Sequence, residues 1–247
     1  MISIENVHKS FGPQQVLRGV SLRVNPGEFV ALVGMSGCGK SMLLKHLVRL
    51  AKPDQGRVVV NGQDLADLSA KELEAYRSRV GFVFQNGALF DSLTVYDNVA
   101  FPLREKTGLT EPQIRDRVMA ELDQVGLAGA IHKFPAQLSG GMLKRVALAR
   151  ALVREPEIIL FDEPTTGLDP IVAKSVLRLF DQVHRRRNLT GVIVSHEIPE
   201  IFHIVERVAM LHEGRIVANE PANNIHNVSD PLVDQFLNGK LEGPIEF

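Results

Sequence analysis

The stretch Gly34-Met-Ser-Gly-Cys-Gly-Lys40-Ser41 fits the pattern G-x-x-x-x-G-K-S. Such a loop suits phosphate chemistry. Its glycines let the backbone wrap closely enough for successive N–H groups to point at phosphate oxygens, and the helix that follows adds the positive end of its dipole. Lys40 is placed to hold the β- and γ-phosphates of a nucleotide, and Ser41 to ligate Mg²⁺. A second feature, Ile158-Ile-Leu-Phe-Asp162-Glu163, is an apolar run ending in adjacent carboxylates. Adjacent side chains on an extended chain point to opposite faces, which predicts different tasks for the two acids. Asp162 is expected to reach Mg²⁺ through water, and Glu163 to sit by the γ-phosphate and polarise the attacking water. Taken singly, the loop also reads as a glycine-rich turn and the acids as solvated groups at a strand end. Together they indicate hydrolysis of a nucleoside triphosphate.

These residues need elements to hold them. The P-loop follows the strand pattern Glu28-Phe-Val-Ala-Leu-Val33 and opens a helix carrying Leu43, Leu44 and Leu47. Further short β-branched runs are Arg57–Val60, Val80–Phe84, Glu157–Phe161, Gly191–Val194 and Arg207–Leu211. Strands alternating with helices predict an α/β fold with a largely parallel central sheet. Roughly residues 86 to 155 offer helices and turns with little strand signal, which reads as an inserted helical lobe. Within it, Thr110 and Gln113 form a capping-box pattern before a face of Ile114, Val118, Leu122 and Val125. Residues 227 to 247, with Pro231, Gly239, Gly243 and Pro244, read as a docked tail.

Composition narrows the function classes. With 247 residues, 45% of them hydrophobic, the chain can bury a sizeable core. Lys and Arg number 28 against 29 Asp and Glu, a formal net charge of -1, so no basic field draws it to nucleic acid. Met1-Ile-Ser-Ile-Glu-Asn opens on strand-like alternation, without the basic and then apolar regions of a secretory signal. The apolar runs fall short of the roughly 20 residues a membrane helix needs. The single cysteine, Cys38, leaves no internal disulfide and suits a reducing compartment.

A third motif settles the class of triphosphatase. Leu138-Ser139-Gly140-Gly141-Met142 places a hydroxyl and two glycine amides at the start of the helix Leu143-Lys-Arg-Val-Ala-Leu-Ala-Arg. It resembles the signature sequence of ABC ATPases. The resemblance, covering about residues 1 to 220, implies an α/β P-loop NTPase core with an inserted helical lobe and an N-terminal antiparallel β subdomain. The nucleotide-binding domain would span 1–226 and a C-terminal tail 227–247. It also implies a homodimer in which the Ser139 nest caps the γ-phosphate of ATP held by the other subunit's P-loop. By the same resemblance Phe11 stacks on adenine beside Val16, Gln85 ligands Mg²⁺ and senses a membrane partner, Asp169 crosses the dimer interface, and His196 contacts the γ-phosphate and orients Glu163. The implied nucleotide contacts are Phe11, Val16, Gly34, Ser36, Gly37, Cys38, Gly39, Lys40, Ser41, Met42, Ser139, Gly140, Gly141 and Asp169. Glu163, His196 and Gln85 are the catalytic set, and Ser41, Gln85 and Asp162 the metal set.

Three details stand apart. The signature carries Met142 where glutamine is commonest in the family, leaving Ser139 and its glycines intact, so hydrolysis is expected to be unimpaired. Cys38, near a helix N-terminus, reads either as a thiol of lowered pKa or as a small tolerated loop residue. Arg185-Arg-Arg187 reads as a solvated helix end complementing the dipole.

Longer stretches are more discriminating than the ATPase motifs. The segments from Phe84 to Leu103, from Leu138 to Arg145 and from Gly239 to Ile245 are similar to those in ATPases of the Mla phospholipid-trafficking system of Gram-negative bacteria. That implies peripheral attachment at the cytoplasmic face of the inner membrane, through a permease bound near Gln85 to Phe101. It also implies a periplasmic lipid-binding subunit, a small cytoplasmic subunit, and a tail that reaches the sister subunit. Ala88, Leu89, Phe90 and Leu93 either receive a permease helix or pack on their own lobe. An amino-acid or lipoprotein transporter ATPase is the nearer alternative. A non-transport ABC protein is more distant, since the chain has one P-loop and no coiled-coil insertion between Lys40 and Ser139.

Overall fold

A computed structural model of the chain describes residues 1–196 and 198–245. Its centre is a six-stranded sheet, in spatial order β10-β9-β3-β8-β7-β6. The strands are β3 (Phe29–Val33), β6 (Val80–Val83), β7 (Ile158–Asp162), β8 (Thr190–Val194), β9 (Arg207–His212) and β10 (Arg215–Pro221). β3 runs parallel to both β8 and β9, and β7 parallel to β6 and β8; only β10 is antiparallel to its neighbour.

Every residue of β3 and β8 is buried, as expected of parallel strands covered on both faces. The pleat of β3 sends Phe29, Ala31 and Val33 to one core and Val30 and Leu32 to another. The first core holds the helical lobe and α6 (Pro170–Arg187), with Phe161 between Phe29 and Phe180 at ring distances of 5.8 and 4.4 Å. The second core lies under α1 (Lys40–Leu47) and a separate antiparallel sheet, order β2-β1-β4-β5.

That second sheet comprises β1 (Ile2–Phe11), β2 (Gln14–Val24), β4 (Gln55–Val60) and β5 (Gln63–Asp64). The run 57–60 therefore belongs here, outside the parallel sheet in which its composition suggested it. The distinguishing mark is its burial: Val58 and Val60 are buried while Val59 is half-buried, the one-sided pattern of an antiparallel sheet. After it, α2 (Ala70–Ser78) is closed at its start by a capping box between Ser69 and Glu72.

The lobe consists of α3 (Val95–Lys106), α4 (Glu111–Gln124) and α5 (Gly140–Leu152). Ile114, Val118, Leu122 and Val125 are buried as their spacing requires. Asn98, fully buried, donates from Nδ2 to the carbonyls of Phe90, Leu93 and Thr94 and accepts from the Phe90 N–H, so one side chain shapes the segment leading into α3. Arg187 departs from the solvated reading. It is pulled back to α4, pairing with Glu121 and donating to Gln124 Oε1 at 2.7 Å, and so ties the end of α6 to the lobe.

In the tail, α7 (Pro231–Asn238) buries Val233 and Leu237 in the chain's own core. The buried Gln235 amide brackets Ile245, accepting its N–H at 2.7 Å and donating to its carbonyl at 3.2 Å. Glu246 and Phe247, the end of the expected tail, lie outside the described residues. Among the described residues no helix is long and apolar enough to cross a membrane.

Candidate functional site

The neighbours β3, β8, β7 and β6 deliver their carboxyl ends side by side, where open α/β sheets place ligands. The P-loop leaves β3, His196 follows β8, Asp162 ends β7 and Gln85 follows β6. Residues far apart in sequence meet here because adjacent strands lie ~4.8 Å apart.

The loop's glycines have backbone reasons. Gly34 has φ 144°, and a Cβ there would lie 2.1 Å from the Leu211 carbonyl oxygen. At Gly39, φ 108°, a Cβ would meet Leu17 Cδ2 at 2.9 Å and the Val16 carbonyl oxygen at 3.0 Å. Val16 thus lies against the P-loop. Lys40 is buried, and its ammonium donates to the carbonyls of Gly34 and Met35, each at 2.8 Å, drawing the loop around itself. Met42 lies in the first turn of α1, half-buried, its carbonyl 2.7 Å from His46 Nδ1. Ser36 and Gly37 occupy the outward part of the loop. Burial pushes the Cys38 thiol above its ordinary pKa, and the nearby Lys40 charge opposes this less strongly. Of the two readings of Cys38, burial favours the small loop residue over the thiol of lowered pKa.

Ser41 Oγ donates to Asp162 Oδ1 at 2.7 Å. Burial raises the Asp162 pKa, the Ser41 hydrogen bond acts against that, and the Glu163 charge raises it further. Glu163 has other partners. Its Oε2 accepts from Gln85 Nε2 at 3.1 Å and Thr166 Oγ1 at 3.2 Å, with His196 Nδ1 3.8 Å off. The two acids do face different partners, but strand alternation is not the cause. Glu163 has φ 47°, a left-handed turn held by its N–H donating to the Val194 carbonyl. The chain bends at that residue and aims the carboxylate at Gln85.

A second group gathers at two helix starts. Ser139 caps α5 and accepts from the Met142 N–H at 3.4 Å. Gly140 and Gly141 begin the helix where a Cβ would meet Leu168 Cδ2 at 2.9 Å, just before α6, and Val172 Cγ1 at 2.5 Å, in its first turn, so close packing favours glycine here as well. Asp169 caps α6, accepting from the N–H groups of Ile171 and Val172. Met142 is half-buried, packed against the lobe core. Phe11, at the β1–β2 hairpin, is 52% exposed, with Lys9 Nζ 5.4 Å from its ring centroid. The structure therefore joins Lys40, Ser41, Gln85, Asp162, Glu163 and His196 in one cluster and Ser139, Gly140, Gly141 and Asp169 in another, with Phe11 on its own hairpin.

Sequence reasoning passed over Thr166, Lys144 and Arg150. Lys144 donates to the Gln85 carbonyl, and Arg150 to those of Gly87 and Ala88, each at 2.7 Å. Three cations, Lys144, Arg145 and Arg150, within a helix rich in Ala, Val and Leu are the available signal.

Known proteins share these features. The family model described as "ABC transporter" matches residues 17–166, taking in the P-loop, the Ser139 nest and both acids. The intermembrane phospholipid transport system ATP-binding protein MlaF of Haemophilus influenzae is 39% identical over 247 residues, covering 100% of this chain and 94% of its own. The probable ribonucleotide transport ATP-binding protein mkl of Mycobacterium tuberculosis is 43% identical over 244 residues, 99% of this chain and 68% of the relative. A dimeric post-hydrolysis structure of the ATP-binding cassette MJ0796, bound to ADP and Pi, superposes with a TM-score of 0.82 at 34% identity, over 90% of this chain and 99% of that one. With a P-loop, paired acids and a glycine nest on the matching fold, this chain belongs to the ABC transporter family and is its ATP-hydrolysing type of subunit.

Proposed function

We propose that the chain powers phospholipid trafficking between the inner and outer membranes of a Gram-negative bacterium, as a homodimer bound to the cytoplasmic face of an inner-membrane permease. Residues 1–226 form the nucleotide-binding domain, with the lobe at about 86–155. Residues 227–247 form a tail whose exposed Leu241 is the part available to the sister subunit.

The observation that carries the enzymatic reading is the Glu163 carboxylate held by Gln85 and Thr166, beside Asp162 and the P-loop. Lys40 binds the β- and γ-phosphates, exchanging its two loop carbonyls for phosphate oxygens. Glu163 accepts the proton of the attacking water, with His196 and Gln85 orienting it. Ser139, Gly140 and Gly141 present their amides to the γ-phosphate on the partner subunit. The residues present also suit Mg²⁺: Ser41 Oγ and Asp162 Oδ1 are hard oxygen donors 2.7 Å apart, and the Gln85 amide reaches Glu163, the residue next to Asp162. Held there by Ser41, Gln85 and Asp162, Mg²⁺ would neutralise negative charge that develops on the phosphate oxygens.

For the permease, support comes from a cavity of about 310 Å³ whose lining includes Phe84, Phe90, Phe101 and Arg150. Phe90 and Phe101 are exposed with ring centroids 4.8 Å apart. Leu89, by contrast, is packed against the chain's own lobe. A groove next to the Gln85 loop that sets these aromatic rings beside Arg150 and Arg154 suits a short permease helix, and through it a small cytoplasmic subunit and a periplasmic lipid-binding subunit join the complex. The phospholipid cargo is supported by full-length similarity to MlaF; the ribonucleotide cargo in the name of the mycobacterial relative gives the second reading. Purifying the native membrane complex through this chain and identifying its permease and bound small molecules by mass spectrometry tests both. Glycerophospholipid is expected, and a nucleotide cargo with no lipid would overturn the proposal.

A further inference from the structure

α5 begins at the Ser139 nest, yet two of its side chains reach back to the loop that carries Gln85. Lys144 is buried, and its ammonium donates to the Gln85 carbonyl. Arg150, six residues on, donates to the carbonyls of Ala88 and Gly87, each at 2.7 Å. Gly87 and Ala88 have φ 72° and 49°, which turns this stretch of backbone onto α5. A Cβ at Gly87 would lie 3.5 Å from Ala147 Cβ. Both cations have pKa values lowered by burial. Placing them there costs desolvation that charge-assisted bonds to carbonyls offset. On the other side of the same residue, the Gln85 amide donates to Glu163 Oε2 at 3.1 Å.

We propose that Lys144 is a positioning residue: it holds the Gln85 backbone so that the Gln85 amide meets Glu163, and it thereby ties one nucleotide site to the helix whose first residues serve the other. Arg150 anchors the Gly87 and Ala88 carbonyls, so three of the four carbonyls from Gln85 to Ala88 are held by α5. A shift of the Ser139 end of α5 is transmitted through Lys144 to Gln85. The inference rests on the roles proposed above for Gln85 and Glu163.

A double-mutant cycle tests it on the full chain, reading kcat and KM for MgATP in the wild type, Lys144→Met, Lys144→Arg, Gln85→Ala and the Lys144→Met/Gln85→Ala pair. Lys144→Met keeps the apolar stem and removes the ammonium. It should lower kcat about 10-fold, within the range that misplacement by about 1 Å gives, and leave KM within about twofold, because the P-loop is untouched. Lys144→Arg should recover most of the loss. The double variant should be no slower than Gln85→Ala alone within about twofold, the non-additivity of two groups acting through one contact. If Lys144→Met does not fold, Lys144→Leu, which also carries no donor, replaces it in the same cycle. Losses that multiply in the double variant, or a raised KM at unchanged kcat, would overturn the positioning role while leaving Gln85 in place. Wild-type turnover in Gln85→Ala would overturn the reading of Gln85 itself, and this inference with it.

Discussion

Replacing Glu163 by glutamine separates binding from chemistry. The carboxylate accepts from Gln85 Nε2 and Thr166 Oγ1 at 3.1 and 3.2 Å, and the glutamine carbonyl oxygen accepts both bonds in the same place. Its backbone keeps φ 47° and the bond to the Val194 carbonyl, a conformation no more strained for glutamine than for glutamate. Stability should change by about 0.5 kcal/mol or less, the range for substitutions that leave packing and backbone intact. What disappears is a group able to accept a proton. A positioned base contributes about 10²- to 10⁴-fold, which corresponds to roughly 2.7–5.4 kcal/mol of barrier. Phosphate release in single-turnover and steady-state assays should fall by that factor, while ATP affinity, measured by displacement of a fluorescent nucleotide, stays within about threefold. Turnover within threefold of wild type would refute the role of Glu163. So would a loss that tracks weakened ATP binding.

Other residues give different signatures. Lys40→Ala should weaken nucleotide binding itself, by about 10-fold or more for loss of a charge-assisted contact to phosphate, as read by equilibrium titration; unchanged affinity would contradict the phosphate cradle. Gly141→Ala places a methyl 2.5 Å from Val172 Cγ1 and should destabilise the chain by about 1–3 kcal/mol in denaturant melts, although alanine ordinarily favours a helix. Cys38 has a raised pKa, so less thiolate is present at any given pH. Alkylation should therefore begin at higher pH than for a free cysteine, whose pKa is about 8.5, and ATP should slow it further; equal rates with and without nucleotide would place the thiol outside the site.

Much of the site is legible in sequence because its demands are local. A loop that cradles phosphate needs glycines at Gly34 and Gly39 whatever surrounds it, since their φ values of 144° and 108° disfavour side chains. The Ser139 nest is likewise a contiguous cap and helix start. The parallel core follows from runs such as Phe29–Val33, buried on both faces. What escapes the sequence depends on contacts between distant segments. Whether Arg57–Val60 joins the parallel or the antiparallel sheet depends on its pairing with β1, 52 or more residues upstream. Arg187 looks solvated until α4 brings Glu121 to it. Lys144 looks like one more surface lysine of a helix until the Gln85 loop covers it. Even the paired acids face different partners through the turn at Glu163, which breaks the strand alternation their spacing suggests.

Hydrolysis on the proposed homodimer requires ATP to be enclosed between two copies of the chain. A structure of the Glu163→Gln variant trapped with ATP and Mg²⁺ tests this directly. The expected result is Ser139 Oγ within about 3 Å of a γ-phosphate oxygen gripped by the partner subunit's P-loop. An ATP molecule held by one chain alone, with Ser139 turned to solvent in the hydrolysis-competent state, would contradict it.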